Sequence, residues 1–316
     1  MDRFYSLCLQ GDINSAMEYL NFIQPKTKEI EEIQKKYMER FFFQNSNEII
    51  PIEDSWIRNV VTAYHNYFRT VLTNADMKDE AELTLNKNLR MLLKDEAPLN
   101  IDETENELAN IFTEKGYYFL GGITPPYRGP YIWKHMETLS FEVEIPQQSI
   151  AVSVHMISDF LLESWMGFVT FNKRTVGGWA KEDGLYCNLK RYKDLNCDDF
   201  QVSYLKHEAQ HLYDYKYFPG LKSNELEYRA KLVELIYSKN HLILKKFLND
   251  AKNDPDLPHP YASYNIIKNL SSIIFKKDYE ENINLWLEKD YKKISYAALE
   301  LFDKNSNELR NQVQSI

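Results

Sequence analysis

Tyr204-Leu205-Lys206-His207-Glu208-Ala209-Gln210-His211 decides the reading of this chain, together with the segment SNELEYRAKLVELIY that begins at Ser223. Only seven His occur in 316 residues, so two of them four apart around a Glu is a rare arrangement to meet by chance. On an α-helix residues i and i+4 share a face. His207 and His211 can therefore both aim an imidazole nitrogen at one cation, leaving Glu208 about 100° round, within reach of a water on that cation. Leu205, Ala209 and Leu212 fall on the opposite side and are expected to bury, while Asp214 shares the His face.

The residues that follow build a partner for this helix. Tyr217-Phe218-Pro219-Gly220 ends it, and Ser223 can cap the next one. A short joint makes the two helices antiparallel, which brings Glu225, Glu227, Lys231 and Glu234 to positions near the His pair. A carboxylate there completes a His₂Glu set with an open fourth position for water. Glu227 and Glu234 lie seven apart on one face, so spacing leaves both open as the third ligand. Asp214 is expected to pair with Lys231 or Arg229 and lock the two helices.

HEAQH followed by an acidic residue on the next helix resembles the gluzincin branch of the zinc metallopeptidases. Glu227-Tyr228-Arg229-Ala230-Lys231 is similar to the EYRAD-type segment of the HtpX and CAAX-prenyl endopeptidase families. The resemblance implies Zn²⁺ held by His207, His211 and Glu227, with Glu208 as the catalytic glutamate. It covers about 30 residues of the chain and departs from the pattern at Lys231, where those families carry Asp. Metzincins match less well, because Asp214 and Tyr217 occupy the Gly and third-His places of their motif. The ligand set then implies peptide hydrolysis: Glu208 removes a proton from the metal's water and passes it to the leaving amine.

Two further features are expected to serve such a site. Thr175-Val176-Gly177-Gly178-Trp179-Ala180 reads as an edge strand for an extended substrate, with Gly177 and Gly178 allowing close backbone approach beside Trp179. In the Pro-broken loop Asp256-Leu257-Pro258-His259-Pro260-Tyr261, His259 or Tyr261 is the expected donor to an oxyanion.

Outward from the motif, residues 1–115 read as helical. Asp12 can cap a helix carrying Ile13, Ala16, Met17 and Leu20, and amphipathic stretches run from Lys28 to Phe43, Asp54 to Leu72, Glu80 to Leu93 and Glu103 to Gly116. His65, among Tyr64, Tyr67 and Phe68, reads as a packed residue. Composition shifts at Gly116, where Gly and Pro gather. ETLSFEVEIP and QSIAVSVHMI then read as strands, Trp165 to Phe171 as another, and TVGGWA with GLYCNL as a further pair. The expected architecture is predominantly helical α+β: a helical region over 1–115, then over 116–316 a zincin-like catalytic region with a small antiparallel or mixed sheet and an active-site helix pair.

Composition limits the partners. With 38 Lys and Arg against 47 Asp and Glu, a formal charge of −9 argues against nucleic acid. The most apolar stretch, Ser149 to Phe171, contains His155, Asp159 and Glu163, and each acid at mid-bilayer would cost roughly 2.5–3.5 kcal/mol, so no membrane span is expected. Three Cys without CxxC spacing and an N-terminus lacking a signal-peptide pattern fit the cytoplasm. The expected function is a zinc metallopeptidase acting on a peptide or protein. The alternative is a zincin-fold regulatory protein that binds zinc without cleaving, which an intact Glu208 disfavours.

Overall fold

The computed structural model describes residues 1–43, 50–94, 100–181 and 183–314. Helices begin where the sequence offers an acceptor to the free N–H groups of a first turn. Asp12 accepts from the N–H of Asn14 and Ser15, Asp54 from Trp56 and Ile57, and Asn100 forms a reciprocal box with Glu103. The helices of this region are α1 (Asp2–Cys8), α2 (Ile13–Phe22), α3 (Lys28–Phe41), α4 (Ser55–Thr73), α5 (Lys78–Leu93) and α6 (Ile101–Glu114).

Strands follow: β1 (Tyr118–Leu120), β2 (Ile123–Thr124), β3 (Tyr127–Arg128), β4 (Tyr131–Glu144) and β5 (Ser149–Glu163). Then come α7 (Ser164–Thr170), β6 (Gly178–Lys181), β7 (Gly184–Asn188) and the single turn α8 (Asp198–Phe200). The remainder is α9 (His207–Tyr217), α10 (Ser223–Tyr237), α11 (Leu242–Asp250), α12 (Pro258–Phe275), α13 (Ile283–Leu287) and α14 (Tyr291–Gln314). The chain is thus predominantly helical with a small sheet, ordered β1-β4-β5-β7-β6. Among the described residues no helix is long and apolar enough to cross a membrane.

Two expectations are corrected. Trp165 to Phe171 forms helix α7, not a strand. Trp165, Phe168 and Val169 are all buried, and a short apolar run buried on more than one side carries no periodicity that separates strand from helix. Likewise His259 and Tyr261 lie in the first turn of α12 rather than in a loop, with Pro258 at the first helical position, where its missing N–H costs nothing.

Packing divides the chain into two compact units, residues 1–135 with 157–175 and residues 136–156 with 176–316, and the long strands β4 and β5 contribute to both. The composition shift at Gly116 therefore lies inside the first unit. Its core gathers Phe4, Ile57, Tyr64, Phe68, Phe112 and Trp165. His65 packs there with its ring centroid 4.6 Å from that of Phe168. In the second unit one core lies between the sheet and α9, through Val143, Val154, Leu185, Phe200, Leu205 and Ala209. A second lies among α10, α11, α12 and α14, through Leu232, Val233, Phe247, Ile266 and Phe302. Helices α9 and α10 are held between these two cores.

Candidate metal centre

Residues Gln201–Lys206, just before α9, are wound as a π-helix. Such turns shift the phase of the helix that follows and recur at functional sites. Leu205 and Ala209 still bury toward the sheet, and Leu212 packs partly buried beside them. The opposite face carries His207, His211 and Asp214, all of them buried. Gly220, at φ +104°, makes the turn beyond α9. Helix α10 starts with Ser223 as its first residue rather than its cap, and the Glu225 carboxylate closes the turn by accepting from the Lys222 N–H at 2.9 Å. Glu225 is therefore engaged away from the His pair.

His207, His211 and Glu227 converge. Their ligand-type atoms all lie within 4.8 Å of one another. The two Nε2 atoms are 3.1 Å apart, His207 Nε2 is 3.5 Å from Glu227 Oε2, and His211 Nε2 is 3.3 Å from Glu227 Oε1. Ligands at about 2.0–2.1 Å around a small divalent ion stand roughly 3.3–3.4 Å apart, and each imidazole nitrogen lies near that distance from the other and from one of the two Glu227 oxygens. This buried group can hold a metal ion.

Glu234 does something different. Its Oε1 lies 2.9 Å from Nδ1 of His207, so it grips the far nitrogen of the imidazole and leaves Nε2 facing His211 and Glu227. Of the two carboxylates that spacing left open, Glu227 stands with the two Nε2 atoms and Glu234 holds the far side of one imidazole. Burial opposes charge on His207, yet the hydrogen bonds its ring donates to Glu227 and Glu234 outweigh it and raise the imidazole to about 10. Burial likewise opposes ionisation of Glu227, and its bonds to His207, His211 and His259 win, holding the carboxyl well below the usual range. A proton on His207 thus does part of what a cation would do at this centre.

His259 reaches the centre by its Nδ1, 2.8 Å from Glu227 Oε2, while most of its ring stays exposed. Tyr261 does not reach it. Two residues further along α12, its side chain is turned to a separate cavity lined by Asn224, Tyr228 and Asn265. Asp214 is completely buried and meets Arg229, whose Nε donates to Oδ2 at 2.8 Å, and Gln210, whose Nε2 donates to Oδ1 at 2.9 Å. Lys231 takes no part in that lock. Its ammonium sits over the Phe247 ring, 4.3 Å from the centroid, because it lies two residues beyond Arg229 and hence on another face of α10.

Glu208 is half-buried on α9, and its charge is felt by Tyr192, Tyr204 and Tyr215, whose phenols are raised chiefly by burial. Strand β6 runs against α9 and ends the sheet. The Asn188 N–H donates to Gly177 O at 2.9 Å, so by antiparallel alternation the backbone groups of Gly178 and Ala180 point to the unpaired side. A side chain at Gly178 would fall 2.1 Å from Tyr186 O and 2.4 Å from Tyr204 Cε2. Trp179 lies on the other face, stacked on Tyr186 at 5.5 Å. Sequence reasoning missed Tyr192 and Tyr204 as the floor beneath this strand, since two tyrosines among 22 carry no distinguishing signal.

Comparison with known protein families, with curated proteins and with solved structures returned no match. What the site can do is therefore argued from its own residues.

Proposed function

We propose that the protein is a zinc-dependent peptidase of zincin type, with His207, His211 and Glu227 as ligands and Glu208 as general base and acid. The observation that carries this reading is the buried convergence of two imidazole nitrogens from α9 and one carboxylate from α10, with the half-buried Glu208 directly after the first His. Two nitrogens, one oxygen and an open position are a common donor set for catalytic zinc. When bound, zinc supplies Lewis acidity: it polarises a carbonyl and lowers the pKa of a water toward about 7.

The chain's own residues do the rest. Glu234 holds the His207 ring through Nδ1, and His259 holds one oxygen of Glu227, so both ligands are oriented before any ion arrives. The Glu208 carboxylate takes the proton of the attacking water and returns it to the departing amine nitrogen. The unpaired edge of β6 offers the N–H and C=O of Gly178 and Ala180 to an extended peptide backbone. Three cysteines, all of them free, fit a reducing compartment, and we place the protein in the cytoplasm.

The test has two arms. Protein purified without added zinc should hold close to one zinc per chain, and His207→Ala should remove it. Glu208→Gln should keep the zinc and lose cleavage of a peptide library by roughly 10²–10⁴-fold. Absence of zinc from the wild type sinks the metal reading. Equal cleavage by wild type and Glu208→Gln removes Glu208 from the chemistry.

A further inference from the structure

One face of the small sheet carries a row of side chains that runs to its edge. Thr138 of β4 meets His155 of β5, Oγ1 to Nδ1 at 2.9 Å. The His155 ring stands 4.7 Å from that of Tyr186 on β7, and Tyr186 stands 5.5 Å from Trp179 on β6, the last two planes within 5° of parallel. Each strand thus adds one member to the row. The opposite face, with Val154, Leu185, Cys187 and Ala180, packs toward α9.

The row ends on an indole. Trp179 lies directly opposite Tyr186 in the register of β6 with β7, so stacking covers one side of its ring and turns the other past the edge of the sheet. Trp179 is only partly buried, and among the described residues no strand lies beyond β6. The charged groups of this face are already engaged: Tyr186 donates its hydroxyl to Asp183 at 2.8 Å, and the Lys181 ammonium lies 5.8 Å from the Tyr186 ring. What the row offers to a further strand is therefore a ring face, beside a cation that disfavours a second one.

The backbone sets what meets that face. Gly178 and Ala180 carry the outward N–H and C=O groups of β6, so a strand paired antiparallel with this edge places its residue opposite Trp179 in a non-hydrogen-bonded pair. Such pairs bring Cα atoms to about 4.5 Å and their side chains closest together. Side chains alternate along the incoming strand, so that residue shares the face of Trp179 while its two neighbours turn toward α9. Aromatic rings pair favourably at centroid distances of about 4.5–7 Å, the range this register supplies.

We propose that Trp179 is a specificity-determining residue, selecting peptides with an aromatic side chain at a fixed position from the scissile bond by continuing the His155–Tyr186–Trp179 row onto the bound substrate. This rests on the peptidase reading, with β6 as its substrate edge.

The test is cleavage of a library of random decapeptides by the full chain loaded with zinc, the products being sequenced and aligned at the cut. Phe, Tyr and Trp should be enriched at a position fixed relative to the cut. For one reporter peptide and its counterpart with Ala at that position, the wild type should prefer the aromatic about three- to tenfold in kcat/KM, mostly through KM. Trp179→Val, which keeps a good strand former at the edge, should bring that ratio to about 1, and Trp179→Phe should restore most of it. The ratio compares two peptides on one protein, so it holds even where a variant is only partly folded. Cut sites without an aromatic preference, Trp179→Val leaving every such preference intact, or Lys and Arg enriched in place of the rings would each overturn the proposal and leave the peptidase standing. A wild type that holds zinc and cleaves nothing overturns the peptidase reading and this assignment with it.

Discussion

The imidazole of His207 is gripped at both nitrogens by carboxylates of one helix, with Glu234 Oε1 2.9 Å from Nδ1 and Glu227 Oε2 3.5 Å from Nε2. Seven residues is nearly two turns, so both acids face α9, one level with each side of the ring. Their removal should therefore differ in kind. Glu234→Gln keeps three ligands and loosens the orientation of one, lowering metal affinity about 10–100-fold. Glu227→Gln removes an anionic ligand and should weaken binding further. Competition against a chromogenic chelator measures both, and equal losses would contradict the separate roles assigned here.

The metal-free protein should show a matching pH dependence. His207 is raised from 6.5 to about 10, so the stability it contributes is fully present below pH 6.5 and is lost as pH rises through 10. Thermal midpoints in EDTA should fall across that alkaline window. His207→Gln should flatten the fall, and zinc should abolish it, because a bound ion replaces the proton between the same carboxylates. A wild-type midpoint that stays level from pH 6.5 to 10 in EDTA would contradict the proton-held arrangement.

Much of this was legible because local chemistry decides it. Asp12 announces a helix start, and i, i+4 spacing alone places His207 and His211 on one face. Spacing made the acidic pair on α10 legible as a pair, and only the resemblance separated Glu227 from Glu234, since assigning them by geometry requires the rotation of α10 about its own axis, which the two flanking cores set. Lys231 and Tyr261 were misplaced for the same reason: each lies two residues from a residue that does reach its target, and two residues on a helix is about 200°. The π-turn before His207 has no sequence mark. Trp165 to Phe171 went wrong because burial on several sides erases the periodicity that pattern reading depends on.

Asp214 and Arg229 make a completely buried ion pair that pins α9 to α10, with Arg229 also donating to Asn305 and Ser306 of α14. Burial raises the Asp214 carboxyl despite Arg229 and Gln210, so desolvation outweighs what its partners return. Breaking the pair should then cost far more than replacing it. Arg229→Met alone strands a buried carboxylate and should cost about 3–5 kcal/mol in urea unfolding, whereas Arg229→Met with Asp214→Leu should recover most of that. A double variant as unstable as the single one would show that Asn305 and Ser306, rather than Asp214, are what Arg229 secures.

Gly177 and Gly178 both stand against a tyrosine, but what blocks a side chain differs. At Gly177 a Cβ would meet the Tyr192 hydroxyl at 2.4 Å, the far end of a side chain that can swing aside. At Gly178 it would meet the Tyr186 carbonyl at 2.1 Å, backbone of the neighbouring strand, with the buried Tyr204 ring at 2.4 Å beneath. Gly178→Ala must therefore displace β6 from β7, and overpacking of this kind costs typically 1–3 kcal/mol. On the peptidase reading it should also raise KM for peptides more than it lowers kcat, because Gly178 and Ala180 carry the unpaired backbone groups. Gly177→Ala should cost less on both counts. Thermal melts and steady-state cleavage of one reporter peptide by the two variants settle the order, and a Gly177→Ala defect larger than that of Gly178→Ala would remove β6 as the substrate edge.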